Sequence, residues 1–147
     1  MQIAVPADLE LFAIRYLRRR LVAVGYDVIV TNREPADLTI ETDRSVVVCR
    51  VDGSQQTEAV TASVQLTVVV YGGSRQDERA VRDLAAYVYA FAASPAIATA
   101  DGSPIAAVNY LDGNVGPYRI TEAADRAAFY MSFQYAVVAD VVEVNEE

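Results

Sequence analysis

Residues 60–91, VTASVQLTVVVYGGSRQDERAVRDLAAYVYAF, carry the reading on which the fold turns. Val60, Ala62, Val64, Leu66, Val68 and Val70 alternate with Thr61, Ser63, Gln65, Thr67, Val69 and Tyr71. Successive side chains of a strand point to opposite faces, so the alternation predicts one long strand with an apolar and a mostly polar face. A strand of that kind belongs to an antiparallel sheet open on one side, with helices covering only the apolar side. Beyond Gly72-Gly73 the period becomes helical. Ala80, Val81, Leu84, Ala85, Val88, Phe91 and Ala92 form the buried stripe of a helix that starts after Ser74 and stops at Ser94-Pro95.

A glycine turn between strand and helix is also where phosphate-binding loops sit. Here Asp77 and Glu78 fill the first helical turn. Both suit the helix dipole, and both would repel a phosphate. No lysine exists anywhere in the chain to serve as a phosphate-loop cation. The stretch therefore reads as a corner.

Outward from it the pattern continues. Asp8 caps a helix running to about residue 24, with Gly25 as its stop. Ala13, Ile14, Leu17, Leu21 and Val24 share one side of that helix, while Arg15, Arg18 and Arg19 cluster on the other. Residues 26–31 and 46–51 read as strands, the second turned by Asp52-Gly53-Ser54, with a short extended piece at 38–40. Residues 105–111 form another strand. The last strand alternates Phe129, Met131, Phe133, Tyr135 and Val137 with Tyr130, Ser132, Gln134 and Ala136. The expected order is α-β-β-β-α-β-β, an α+β fold with a mostly antiparallel twisted sheet and two helices packed on one face. A single domain over 1–142 is expected, followed by a frayed acidic tail at 143–147.

Composition narrows the chemistry. A chain of 147 residues, 53% hydrophobic, is long enough for one sizeable core. It has no histidine and one cysteine, which excludes Cys/His zinc sites, an internal disulfide and Ser-His or Cys-His nucleophile pairs. Cys49 lies among valines and reads as a small core residue. Glu41 with Asp43, and Asp77 with Glu78, lack calcium-loop spacing, so no metal or cofactor is expected. Ser54, Ser74 and Ser103 follow glycine without a nucleophile-elbow pattern, so no catalytic residue is assigned. All twelve basic residues are arginine, in keeping with a G+C-rich coding sequence. Residues 1–50 carry seven arginines and seven carboxylates, residues 51–147 five and thirteen, and the net charge is −8. That balance disfavours general nucleic-acid binding. It leaves the arginine stripe as a solvated face or as a contact for an acidic patch on another subunit. No apolar run reaches membrane-span length. Residues 1–8 lack signal-peptide features, so synthesis in a cytoplasm is expected.

Two connections are long and polar. Residues 112–125, with Gly113 and Gly116-Pro117, exceed the usual loop length, and 53–59, GSQQTEA, is shorter. Both are expected to project for contact, giving Gln55, Gln56, Gly116, Pro117 and Tyr118 as candidate interface residues beside Arg15, Arg18 and Arg19.

The local sequences LFAIRYLRRRLVAVGYDVIVTNREP, RSVVVCRVDG, ASVQLTVVVYGGSRQDERAVRDLAAYVYAF, VGPYRI and RAAFYMSFQYAVVADV occur in that order. Over roughly residues 9–142 the chain resembles the tail terminator proteins of long-tailed, siphovirus-type bacteriophages. Asp140 departs from the pattern, which would place a basic residue at the end of the last strand. The resemblance implies a virion structural protein: a ring, usually of six copies, capping the head-proximal end of the tail tube. Its partners would be itself, the major tail tube protein and the head connector, with DNA only passing through the lumen and no membrane. Assembly would take place in the host cytoplasm. Another neck or head-to-tail joining protein shares this size and character. From a different class, a small-ligand-binding or metal-independent enzyme domain would be marked by a deep apolar pocket with convergent polar groups.

Overall fold

The computed structural model describes residues 1–33, 45–56, 60–72, 78–108, 113–120 and 127–145, for residues 54–56 the backbone alone. The fold is α+β. In chain order the elements are β1 (Gln2–Val5), α1 (Leu9–Ala23), β2 (Ile29–Thr31), β3 (Val46–Gln56), β4 (Thr61–Tyr71) and α2 (Glu78–Ala93). They continue with a single turn α3 (Ala96–Thr99), then β5 (Ile105–Val108), β6 (Val115–Ile120), β7 (Ala128–Val138) and β8 (Asp140–Glu143).

The main sheet runs β2-β3-β4-β7-β5, and β6 also pairs with β7. Every pairing is antiparallel except β2 with β3, which is parallel. At its centre β4 and β7 pair along their whole length, from Thr61↔Val138 to Tyr71↔Ala128. Opposite faces of this ladder follow the alternation in the sequence. Val64, Leu66, Val68 and Val70 meet Tyr135, Phe133, Met131 and Phe129 on the core side, and all eight are buried. On the other side Ser63 Oγ donates to Gln134 Oε1 at 2.9 Å, and Gln65 Nε2 donates to Ser132 Oγ at 3.0 Å.

Both long helices lie against the apolar face. From α1 come Leu9, Ala13, Tyr16, Leu17 and Leu21; from α2 come Val81, Leu84, Ala85, Val88 and Ala92. Tyr16 takes the place expected of Val24, which is 44% exposed past the end of the helix. Asp8 caps α1 as its sequence position requires, accepting from Leu11 N at 2.9 Å. At the other end Gly25, at φ +92°, donates to Val22 O while Tyr26 donates to Leu21 O. That pair of bonds closes a helix on a left-handed glycine and satisfies carbonyls the helix leaves open. The last turn of α2 is treated differently: the Tyr135 hydroxyl donates to Ala92 O at 2.7 Å, fastening the helix to the middle of the sheet.

Gly72 ends β4 in the manner of a corner. Its N–H donates to Ala127 O at 2.7 Å, and a Cβ there would collide with Val81 of α2. The glycine permits close approach of helix and sheet, and its amide is already committed. Residues 73–77 with Ser74 and Asp77, the extended piece at 38–40 and the Glu41/Asp43 pair lie outside the described residues.

Four expectations need correction. Residues 115–120 are not loop but the strand β6, which accommodates Gly116-Pro117 through a register shift between Val115 and Tyr118 on the edge of β7. Residues 53–56 are not loop either: β3 passes a bulge at Asp52, where Gly53 takes φ +141°, and stays paired with β4 to Gln56↔Ala62. A strand, β1, precedes the first helix, and it pairs with β8 from Gln2↔Glu143 to Val5↔Asp140. Fraying therefore does not begin at Glu143, which lies in β8 and accepts from the Met1 amino group at 2.8 Å, while Val144 N donates to Met1 O.

Candidate assembly surface

The eight candidate residues fall on three separate parts of the molecule. Arg15, Arg18 and Arg19 stand together on the outer side of α1, all exposed. Gln55 and Gln56 end β3 in register with Ser63 and Ala62. Gly116, Pro117 and Tyr118 lie in β6. Ala62 faces Val137 of β7, whereas Tyr118 faces Tyr130. Seven strand positions separate those partners, roughly 23 Å, so the β3 end and β6 mark opposite ends of the sheet.

The three arginines are not equivalent. Arg18 donates from Nη2 to Val30 O at 2.8 Å and ties α1 to β2. Its neighbour Arg20 stacks over the Tyr16 ring, 5.3 Å from the centroid. Arg15 and Arg19, one helical turn apart, line a shallow groove together with Arg18, Leu11 and Phe12. Leu11 is 42% exposed and Val22, one turn beyond Arg18, is 65% exposed. The outer side of α1 is thus a mixed stripe of aliphatic and guanidinium groups.

β6 holds its place from both faces. Tyr118 packs on Tyr130 with ring centroids 5.0 Å apart on the polar side of the sheet. Arg119 points the other way and forms an ion pair with Glu78 in the first turn of α2. Glu78 also meets Arg82 at 3.3 Å. The helix-dipole role expected of Glu78 is joined by a tie between α2 and the sheet edge.

A feature that sequence reading missed is the β1–β8 ribbon. It is a separate two-stranded sheet, and every one of its eight residues is exposed. Directly paired residues share a face, so Ile3 and Val5 stand beside Val142 and Asp140 on one side. On the other side stand Ala4 and Val141; Val141 is 55% exposed, and Ala4 lines a cavity of about 370 Å³ between the ribbon, the start of α1, the middle of β3 and the ends of β4 and β7. The Ile3/Val5/Val142/Asp140 side therefore faces away from the domain. A lone two-stranded ribbon is marginal in water, and its exposed aliphatic side chains make it a candidate contact surface.

That cavity is mainly apolar, and its carboxylates serve the fold. Asp8 caps Leu11, and Glu10 accepts from Val51 N at 3.2 Å and from Asn32 Nδ2 at 3.3 Å. Cys49 is fully buried; burial foremost, and then the charge of Glu10, push its thiol up to about 12. A thiol so shifted stays protonated near neutral pH and is a poor nucleophile. Among the described residues no group of three or more His, Cys, Asp or Glu could hold a metal ion, and no helix is long and apolar enough to cross a membrane. Compared with models of known protein families and with curated proteins, the sequence gives no match.

Proposed function

We propose that this chain is a virion structural protein of the tail terminator kind. It forms a ring on the head-proximal end of a phage tail tube, ends polymerisation of the tube protein and presents the surface on which the head connector docks. The observation that carries the reading is the outward aliphatic face of the terminal ribbon, a surface suited to assembly, on a protein of net charge −8 that also carries a basic α1 stripe. The resemblance of residues 9–142 supplies the class of assembly.

No bond needs to be made or broken for this task. Termination requires a subunit that binds the growing end and offers the next tube subunit no matching face. Contacts of one patch with a different patch on the neighbour close into a ring when the rotation between copies closes. DNA passes through the lumen as cargo, and the protein stays in the virion at the top of the tail.

Adding the purified protein to its cognate tail tube protein during elongation tests this directly. Tubes are expected to stop short, with extra density at one end in negative-stain images. Tube lengths that do not depend on the added protein would overturn the reading.

A further inference from the structure

We infer that the outward face of the β1–β8 ribbon is the surface that meets a second copy of this chain, and that it seats on the α1 stripe of that copy. The inference rests on the reading of the chain as a ring subunit and names the contact that would build the ring. The ribbon face offers three aliphatic groups, Ile3, Val5 and Val142, each about 40% exposed, with the carboxylate of Asp140 at one corner. The α1 stripe offers the converse: the apolar Leu11 and half-buried Phe12 line a groove together with the exposed Arg15 and Arg19.

Charge selects the pairing. β1, Gln2–Val5, carries no charged side chain and β8 carries two carboxylates. Ribbon against ribbon through β8 would bring like charges together, whereas ribbon against α1 brings Asp140 to Arg15 and Arg19. Of the two carboxylates, Glu143 is held by the Met1 amino group, which leaves Asp140 for the neighbour. Among the arginines, Arg18 is held by Val30 O, which leaves Arg15 and Arg19. Asp8 and Asp101 also edge the groove, Asp8 engaged in its cap. Arginine stems cover aliphatic groups while their heads stay hydrated, so the same two residues serve both halves of the contact.

The two patches differ, so the contact is heterologous. Each copy uses its ribbon toward one neighbour and its α1 toward the other, which is the arrangement a closed ring needs.

A charge exchange followed by light scattering tests it. Asp140→Arg alone, and Arg15→Asp with Arg19→Asp, are each expected to weaken self-association on the order of tenfold or more. All three substitutions together are expected to restore it in large part. Raising salt to 1 M is expected to weaken the wild-type contact as exposed charges are screened. The sites are exposed, and circular dichroism confirms that each variant is folded. A wild-type protein that stays monomeric throughout, variants that assemble like wild type, or a triple variant that remains apart would each overturn the proposal. If the variants assemble normally while the wild type still halts tube growth, this contact is wrong and the functional reading stands. If the charge exchange behaves as expected but tube growth is unaffected, the contact stands and the functional reading falls.

Discussion

Phe133→Ala is expected to lower stability by about 3–5 kcal/mol, among the largest effects a single core truncation produces. Phe133 is fully buried at the middle of β7, opposite Leu66 of β4. Its ring lies 5.3 Å from that of Tyr89 on α2 and 6.2 Å from that of Tyr135. Removing it opens a void where sheet and helix meet, and it also undercuts the strand whose Tyr135 hydroxyl fastens α2. For a domain of this size the melting temperature should fall by about 10 °C. Val138→Ala, at the exposed end of the same strand, should change stability by less than about 0.5 kcal/mol. Equal effects of the two substitutions in urea denaturation would contradict the placement of the core.

The second large effect is expected at Gly116. Its φ of +97° is costly for any other residue, and a Cβ would stand 2.5 Å from Tyr130 O and 3.0 Å from Met131 Cα. Both obstacles are backbone of β7, so no side-chain rotation relieves them. Gly116→Ala should cost about 2–4 kcal/mol or release β6 from β7. Gly25→Ala is the control, because Gly25 shares the left-handed backbone at φ +92° but has open space where the Cβ would go. It should cost only about 1 kcal/mol. Hydrogen exchange at the β6 amides separates the two results. Fast exchange is expected in the Gly116 variant alone, and equal protection in both would remove the steric argument.

The central strands and both long helices were legible because each has a period long enough to read. Eleven residues each in β4 and β7 are long enough for alternation to fix which side chains share a face, whereas the pairing of the two strands and its register, with Leu66 opposite Phe133, come from tertiary packing. Asp8 and Gly25 marked the ends of α1 through local chemistry alone. The ribbon was not legible for a physical reason. β1 and β8 are four residues each, too short for a period, and their pairing joins the two ends of the chain. Nothing local in QIAV or DVVE announces a partner some 140 positions away. β6 was hidden by its own composition, since Gly116 and Pro117 are residues that a central strand excludes and an edge tolerates. Of the candidate surface, the arginine cluster was visible as a stripe. Arg18's bond to Val30 O, which sets it apart from Arg15 and Arg19, depends on how α1 packs against β2, and no helical spacing reports that.

The proposal that this chain ends tail growth is tested by the length distribution of tails, by electron microscopy of assembly products made with the gene disabled. Overlong tail tubes detached from filled heads, corrected when the gene is supplied in trans, are the predicted result. Tails of normal length beside finished, unattached heads would contradict it and place the protein at the joining step, and intact virions would remove it from the tail altogether.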